Sequence, residues 1–68
     1  MAQMKELLLS VENHCERSGQ IFQGVEEIDK IDERRVAVNY KYYPKQGIFR
    51  RLHKDRVEFE ITHNGVAQ

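Results

Sequence analysis

The chain has 68 residues, 11 Lys or Arg against 11 Asp or Glu, three His, one Cys, and 40% apolar residues. So short a chain predicts a single small domain over 1–68 with one core, marginal enough to leave room for a homodimer. Its longest apolar run, Leu7-Leu8-Leu9, is far short of the roughly 20 residues a membrane span needs; with no signal segment and a lone Cys15, the reading is a cytoplasmic protein without a disulfide framework.

From Gln3 to Arg17, Met4, Leu7, Leu8, Val11 and Cys15 recur at intervals of three and four. That spacing sets them on one face of an α-helix over 3–17. Ser18-Gly19 supplies a left-handed stop, and Arg17 suits the negative end of the helix dipole. Leu9 lies off the stripe and is either a wider core contact or part of a partner surface.

After Gly19 the period changes to two. Gln20–Ile28, Arg35–Tyr43, Gly47–His53 and Arg56–Thr62 read as strands rich in β-branched and aromatic residues. In the least regular of them, the first, Gly24 marks a bulge or bend. Asp29–Glu33 reads as a polar turn, and Tyr43-Pro44-Lys45-Gln46-Gly47 as a hairpin loop. A tight loop through Lys54-Asp55 would pair Leu52 with Val57, Ile48 with Ile61, and Arg51 with Glu58. Matching faces between the second and third strands asks for Tyr42 beside Ile48 and Val38 beside Leu52. Residues 63–68 lose the alternation and read as a frayed tail.

The expected fold is therefore α+β: an N-terminal amphipathic helix on one face of an antiparallel sheet over 20–62, with four strands or, at the least, three. The predicted core is Leu7, Leu8, Val11, Ile21, Val25, Val36, Val38, Leu52, Val57, Phe59 and Ile61. The other sheet face is left open.

Enzymatic chemistry finds little support. His14 beside Cys15 is the one nucleophile–base neighbour pair, but helix neighbours point about 100° apart and Cys15 continues the core stripe. His14, His53, His63 and Cys15 lack short metal-ligand spacings. No phosphate loop or nucleophile elbow is present. The expectation is no catalytic residue, no metal and no cofactor.

Charge distribution is the informative feature. Residues 1–33 carry three cations against eight carboxylates, net −5, and residues 34–56 carry eight cations against one carboxylate, net +7. Rings interleave with the cations. Lys41, Tyr43, Lys45, Phe49, Arg50, Arg51, Lys54 and Arg56 are the predicted macromolecule-binding residues, with Lys41, Tyr43, Phe49 and Arg51 expected on the face away from the core. The expected activity is a small non-enzymatic binding or regulatory module for an acidic macromolecule, nucleic acid slightly ahead of an acidic protein. The alternative is a protein interaction module that self-associates or inhibits a partner through its open sheet face. The blander competitor is that these cations solubilise strands and pair with the acidic half.

Overall fold

A computed structural model describes residues 2–47 and 51–67 of the chain, with side chains from Met4 onward. One helix, α1 (Ala2–Arg17), is followed by β1 (Gln20–Lys30), β2 (Arg35–Pro44), β3 (His53–Thr62) and β4 (Gly65–Ala67). The strands form an antiparallel meander in the order β1-β2-β3-β4. The molecule measures 42 × 18 × 18 Å. Among the described residues no helix is long and apolar enough to cross a membrane.

Helix α1 ends where its sequence asks it to. The Ser18 N–H donates to the carbonyls of His14 and Cys15, at 3.0 and 3.1 Å, and Gly19 takes φ +68°, the left-handed residue that lets the chain reverse. Strand β1 then runs back beneath the helix. Its register against β2 slips between Phe22 and Gly24, and again between Val25 and Glu27. Gly24 adopts φ +142°, as a glycine-dependent bulge requires. The slips keep Phe22, Val25 and Ile28 on one face despite their three-residue spacing. Ile21 pairs with Tyr43 and turns to the opposite face, so Phe22 replaces it in the core.

The β1–β2 turn is held by Asp32. Its carboxylate accepts the Arg34 and Arg35 N–H groups at 2.9 and 2.8 Å and the Arg35 Nε at 2.8 Å. Those donors, the Arg34 N–H first, hold the Asp32 carboxyl below its ordinary range.

The expected tight hairpin is overturned, and of the described residues of the expected third strand, Gly47–His53, His53 alone lies in a strand, as the first residue of β3. Gly47, Arg51 and Leu52 lie outside any strand, while Ile48, Phe49 and Arg50 fall outside the described residues. Lys54 and Asp55 form no turn: they lie inside β3, opposite Lys41 and Tyr40. Val57 pairs with Val38, Glu58 with Ala37 and Tyr42 with His53, in place of the Leu52, Arg51 and Ile48 partners expected for Val57, Glu58 and Tyr42. Ile61 pairs with Val66. Lys54-Asp55 is not followed by a glycine like Gly65, which takes φ +124° just after the turn that does form, and the eight continuous pairs of β2 with β3 bring Val36 and Val38 beside Phe59 and Val57. The tight hairpin lies later, at His63-Asn64, so residues 65–67 are a strand rather than a frayed tail. The Asn64 N–H donates to Thr62 Oγ1 at 3.2 Å, and Thr62 Oγ1 donates to the Gly65 carbonyl at 3.1 Å.

The core lies between α1 and the inner sheet face: Leu7, Val11, Cys15, Val38, Tyr40, Val57 and Phe59, flanked by Phe22, Val25, Val36, Tyr42 and Val66. The helix touches β1 on one side and β4 on the other, and so crosses the sheet obliquely. Leu8 and Leu52 were expected inside but are 37% and 49% exposed. Leu8 points about 100° away from Leu7 around the helix, onto its flank, and Leu52 precedes β3. Leu9 is 50% exposed, on the side of the helix away from the sheet.

Tyr40 anchors the centre. It is fully buried, its hydroxyl donates to Gln20 Oε1 at 2.7 Å, and its ring meets His14, Phe22 and Tyr42 at centroid distances of 6.1, 6.4 and 5.8 Å. Burial pushes the Tyr40 phenol well above its ordinary 10.0. The neighbouring Cys15 thiol is also raised by burial, partly offset by its contact with the Tyr40 hydroxyl.

Two outcomes are expected. Tyr40→Phe costs about 1 kcal/mol in urea unfolding, because Gln20 loses a buried partner. Both raised groups bind protons more tightly folded than unfolded, so stability is full below pH 9 and falls as the pH climbs past the ordinary values of 9.0 and 10.0. Alkaline unfolding followed by circular dichroism checks it.

Candidate functional site

Alternation along β2 sends Val36, Val38, Tyr40 and Tyr42 to the inner face and Arg35, Ala37, Asn39, Lys41 and Tyr43 to the outer one. Directly paired residues share a face, so the register fixes the outer rows. Tyr43 stands beside Ile21, Lys41 beside Gly24 and Lys54, and Asn39 beside Glu27 and Arg56. Ala37 follows beside Asp29 and Glu58, then Arg35 beside Glu60. Among the described residues no helix covers this face. It grades from a cationic, aromatic end at Lys41, Tyr43 and Lys54 to an acidic end at Asp29, Glu58 and Glu60.

The predicted binding residues do not stay together. Lys41 and Tyr43 share the outer face as expected, and Lys54 and Arg56 join them from β3. Lys45, just past β2, is drawn to the helix instead, with Nζ 3.0 Å from Glu16 Oε1. Arg51 is exposed and outside the strands, and Phe49 and Arg50 lie outside the described residues.

Several of the cations are already engaged. Lys54 Nζ lies 2.9 Å from Glu26 Oε1, and Arg56 Nη1 lies 2.9 Å from Asp29 Oδ2. Asp29 Oδ2 also accepts from Asn39 Nδ2 at 3.0 Å. The antiparallel pairing therefore folds much of the net −5 half onto the net +7 half. These pairs are partly exposed and individually worth at most about 1 kcal/mol.

Lys41 is the exception. It is half-buried, faces Lys54 directly across the strand pair, and has no ion-pair partner among the described residues. Like charges set opposite each other on a sheet oppose folding, and Glu26 compensates Lys54 alone. Sequence reading selected Lys41 and Lys54 as cations but did not predict that they face each other, because that depends on the β2–β3 register.

Cys15 lies on the core side of the helix. The thiol is 1% exposed and packed on Tyr40, and a buried thiol raised in this way is a poor thiolate source. Among the described residues no three His, Cys, Asp or Glu side chains converge as a metal site. His53 instead stacks on Tyr42 at 5.4 Å.

No protein family, curated protein or solved structure matches the chain.

The double use of Asp29 sets a measurable order. Asp29→Ala should cost about 1 kcal/mol in urea unfolding, since it frees both Arg56 and Asn39, whereas Glu26→Ala should cost only a few tenths. The difference should shrink in about 1 M salt, which screens exposed pairs.

Proposed function

We propose that the protein is a non-enzymatic interaction module that docks an acidic protein surface onto the cationic end of its open sheet face. The observation that carries this reading is the Lys41–Lys54 pair, two cations opposed on an open face with one carboxylate, Glu26, bound to Lys54 alone. A sheet tolerates such a local conflict at a cost, and conflicts of this kind concentrate where a surface is used. An incoming carboxylate resolves it by bridging both cations. Tyr43 on the same face offers a ring with few rotatable bonds as an anchor, and the exposed Arg51 adds long-range attraction.

A protein suits this face better than a nucleic acid. Glu27, Glu58 and Glu60 share it, so a phosphate backbone laid along the strands would meet carboxylates within one or two rows of the lysines. A compact acidic patch can engage one end and avoid the other. The buried thiol of Cys15 suits a reducing cytosol.

Lys41→Glu separates the reading from a purely structural role. It turns a repulsive cross-strand pair into an attractive one and should stabilise the fold by about 0.5 kcal/mol. The same change should abolish salt-sensitive binding of a poly-L-glutamate peptide, followed by fluorescence anisotropy at low salt. Tighter binding of single-stranded or duplex DNA or RNA of equal length would overturn the choice of a protein partner. Undiminished peptide binding by the variant, or none by the native chain, would overturn the site.

A further inference from the structure

The outer-face residues of β3 read Lys54, Arg56, Glu58, Glu60. Two cations are followed by two carboxylates, one at every second position, with the change of sign at Val57. Such an order is complementary to itself when reversed. A two-fold axis lying in the plane of the open face, across the strands at the Val57 row, turns a second copy over and end for end. Lys54 then faces Glu60 of the second copy and Arg56 faces Glu58, and each contact occurs twice, as symmetry requires of such an interface.

Strands β2 and β1 permit this approach. In β2, Asn39 lies over the Ala37 row of the second copy. Ala37 is completely buried between its neighbours and raises no side chain above the face. The like-charged Lys41–Lys54 row comes to lie over the row of Arg35 and Glu60, where Asp32 already neutralises Arg35 at 2.7 Å. Glu60 of the second copy enters that row opposite Lys54, one strand away from Lys41. In β1, Glu27 faces Asp29, whose charge is held by Arg56 through Nη1, so the Arg56–Glu58 contact of the dimer falls to the remaining guanidinium N–H groups.

We infer that the partner of the open face is a second copy of this chain, packed face to face in an antiparallel two-fold dimer held by Lys54–Glu60 and Arg56–Glu58 pairs. This rests on the reading of that face as a docking site for carboxylates. Three strands about 4.8 Å apart and about nine residues long cover on the order of 400 Å² per copy. The total, roughly 800 Å², falls below the 1,200–2,000 Å² of stable complexes. The dimer is therefore a weak one that forms at high protein concentration and low salt. Face-packed sheets cross at about 30°, which confines close contact to the middle rows, where the four charged β3 residues lie.

The test is a charge swap read by sedimentation equilibrium. Lys54→Glu alone and Glu60→Lys alone each place like charges across the two-fold, so each should self-associate at least tenfold more weakly than the native chain, with an unchanged circular dichroism spectrum. An equimolar mixture restores both contacts and should recover the dimer. Single variants that dimerise like the native chain, or a mixture that stays monomeric although both components are folded, would overturn the inference. A native chain that stays monomeric at about 1 mM in about 10 mM salt but still binds poly-L-glutamate removes the second copy as partner and leaves the acidic-protein reading standing. Loss of both overturns both.

Discussion

Val38 lies beside Val57 and Val36 beside Phe59, and these apolar contacts set the register on which the outer charges depend. Because side chains alternate along a strand, burying Val38 and Tyr40 under the helix forces Asn39 and Lys41 outward, and burying Val57 and Phe59 forces Arg56 and Glu58 out beside them. A slip of one residue would drive Lys41, Arg56 and Glu58 into the core. The hydrophobic pairing is thus also the device that positions the surface charges, and no separate interaction is needed to align them.

The helix was legible in the sequence because its apolar spacing and its Ser18-Gly19 stop are local signals, and the bulge at Gly24 was legible for the same reason. The strand boundaries after Pro44 were not. Leu52 and Val57 are both apolar and flank a short polar segment, which imitates a hairpin, yet Lys54-Asp55 lacks the turn chemistry to close one. The Asn64-Gly65 dipeptide did carry a turn signal, but the three-residue strand beyond it is too short to show alternation. The cationic residues of the surface were visible as composition. Their partners were not, because Asp29 and Arg56 meet only through a register that spans 27 positions.

Electrostatics here divides by depth. In the core, the Tyr40 hydroxyl and the Cys15 thiol stay neutral because burial penalises their charged forms, and the phenol spends its polarity on Gln20. On the outer face, solvent screens each ion pair, so the charges add little to stability individually. They act instead through their arrangement, which runs from positive to negative along the strands while the whole chain stays neutral.

The paired register slips in β1 make that strand a poor template for added chains. β1 is an eleven-residue strand with an open edge, the sort of template onto which unfolded chains add indefinitely. Two extra residues within five positions overtwist that edge and interrupt its row of amide donors. An incoming strand would lose its match at each slip, so backbone geometry works against stacking in the cross-β manner even where the side chains would allow it.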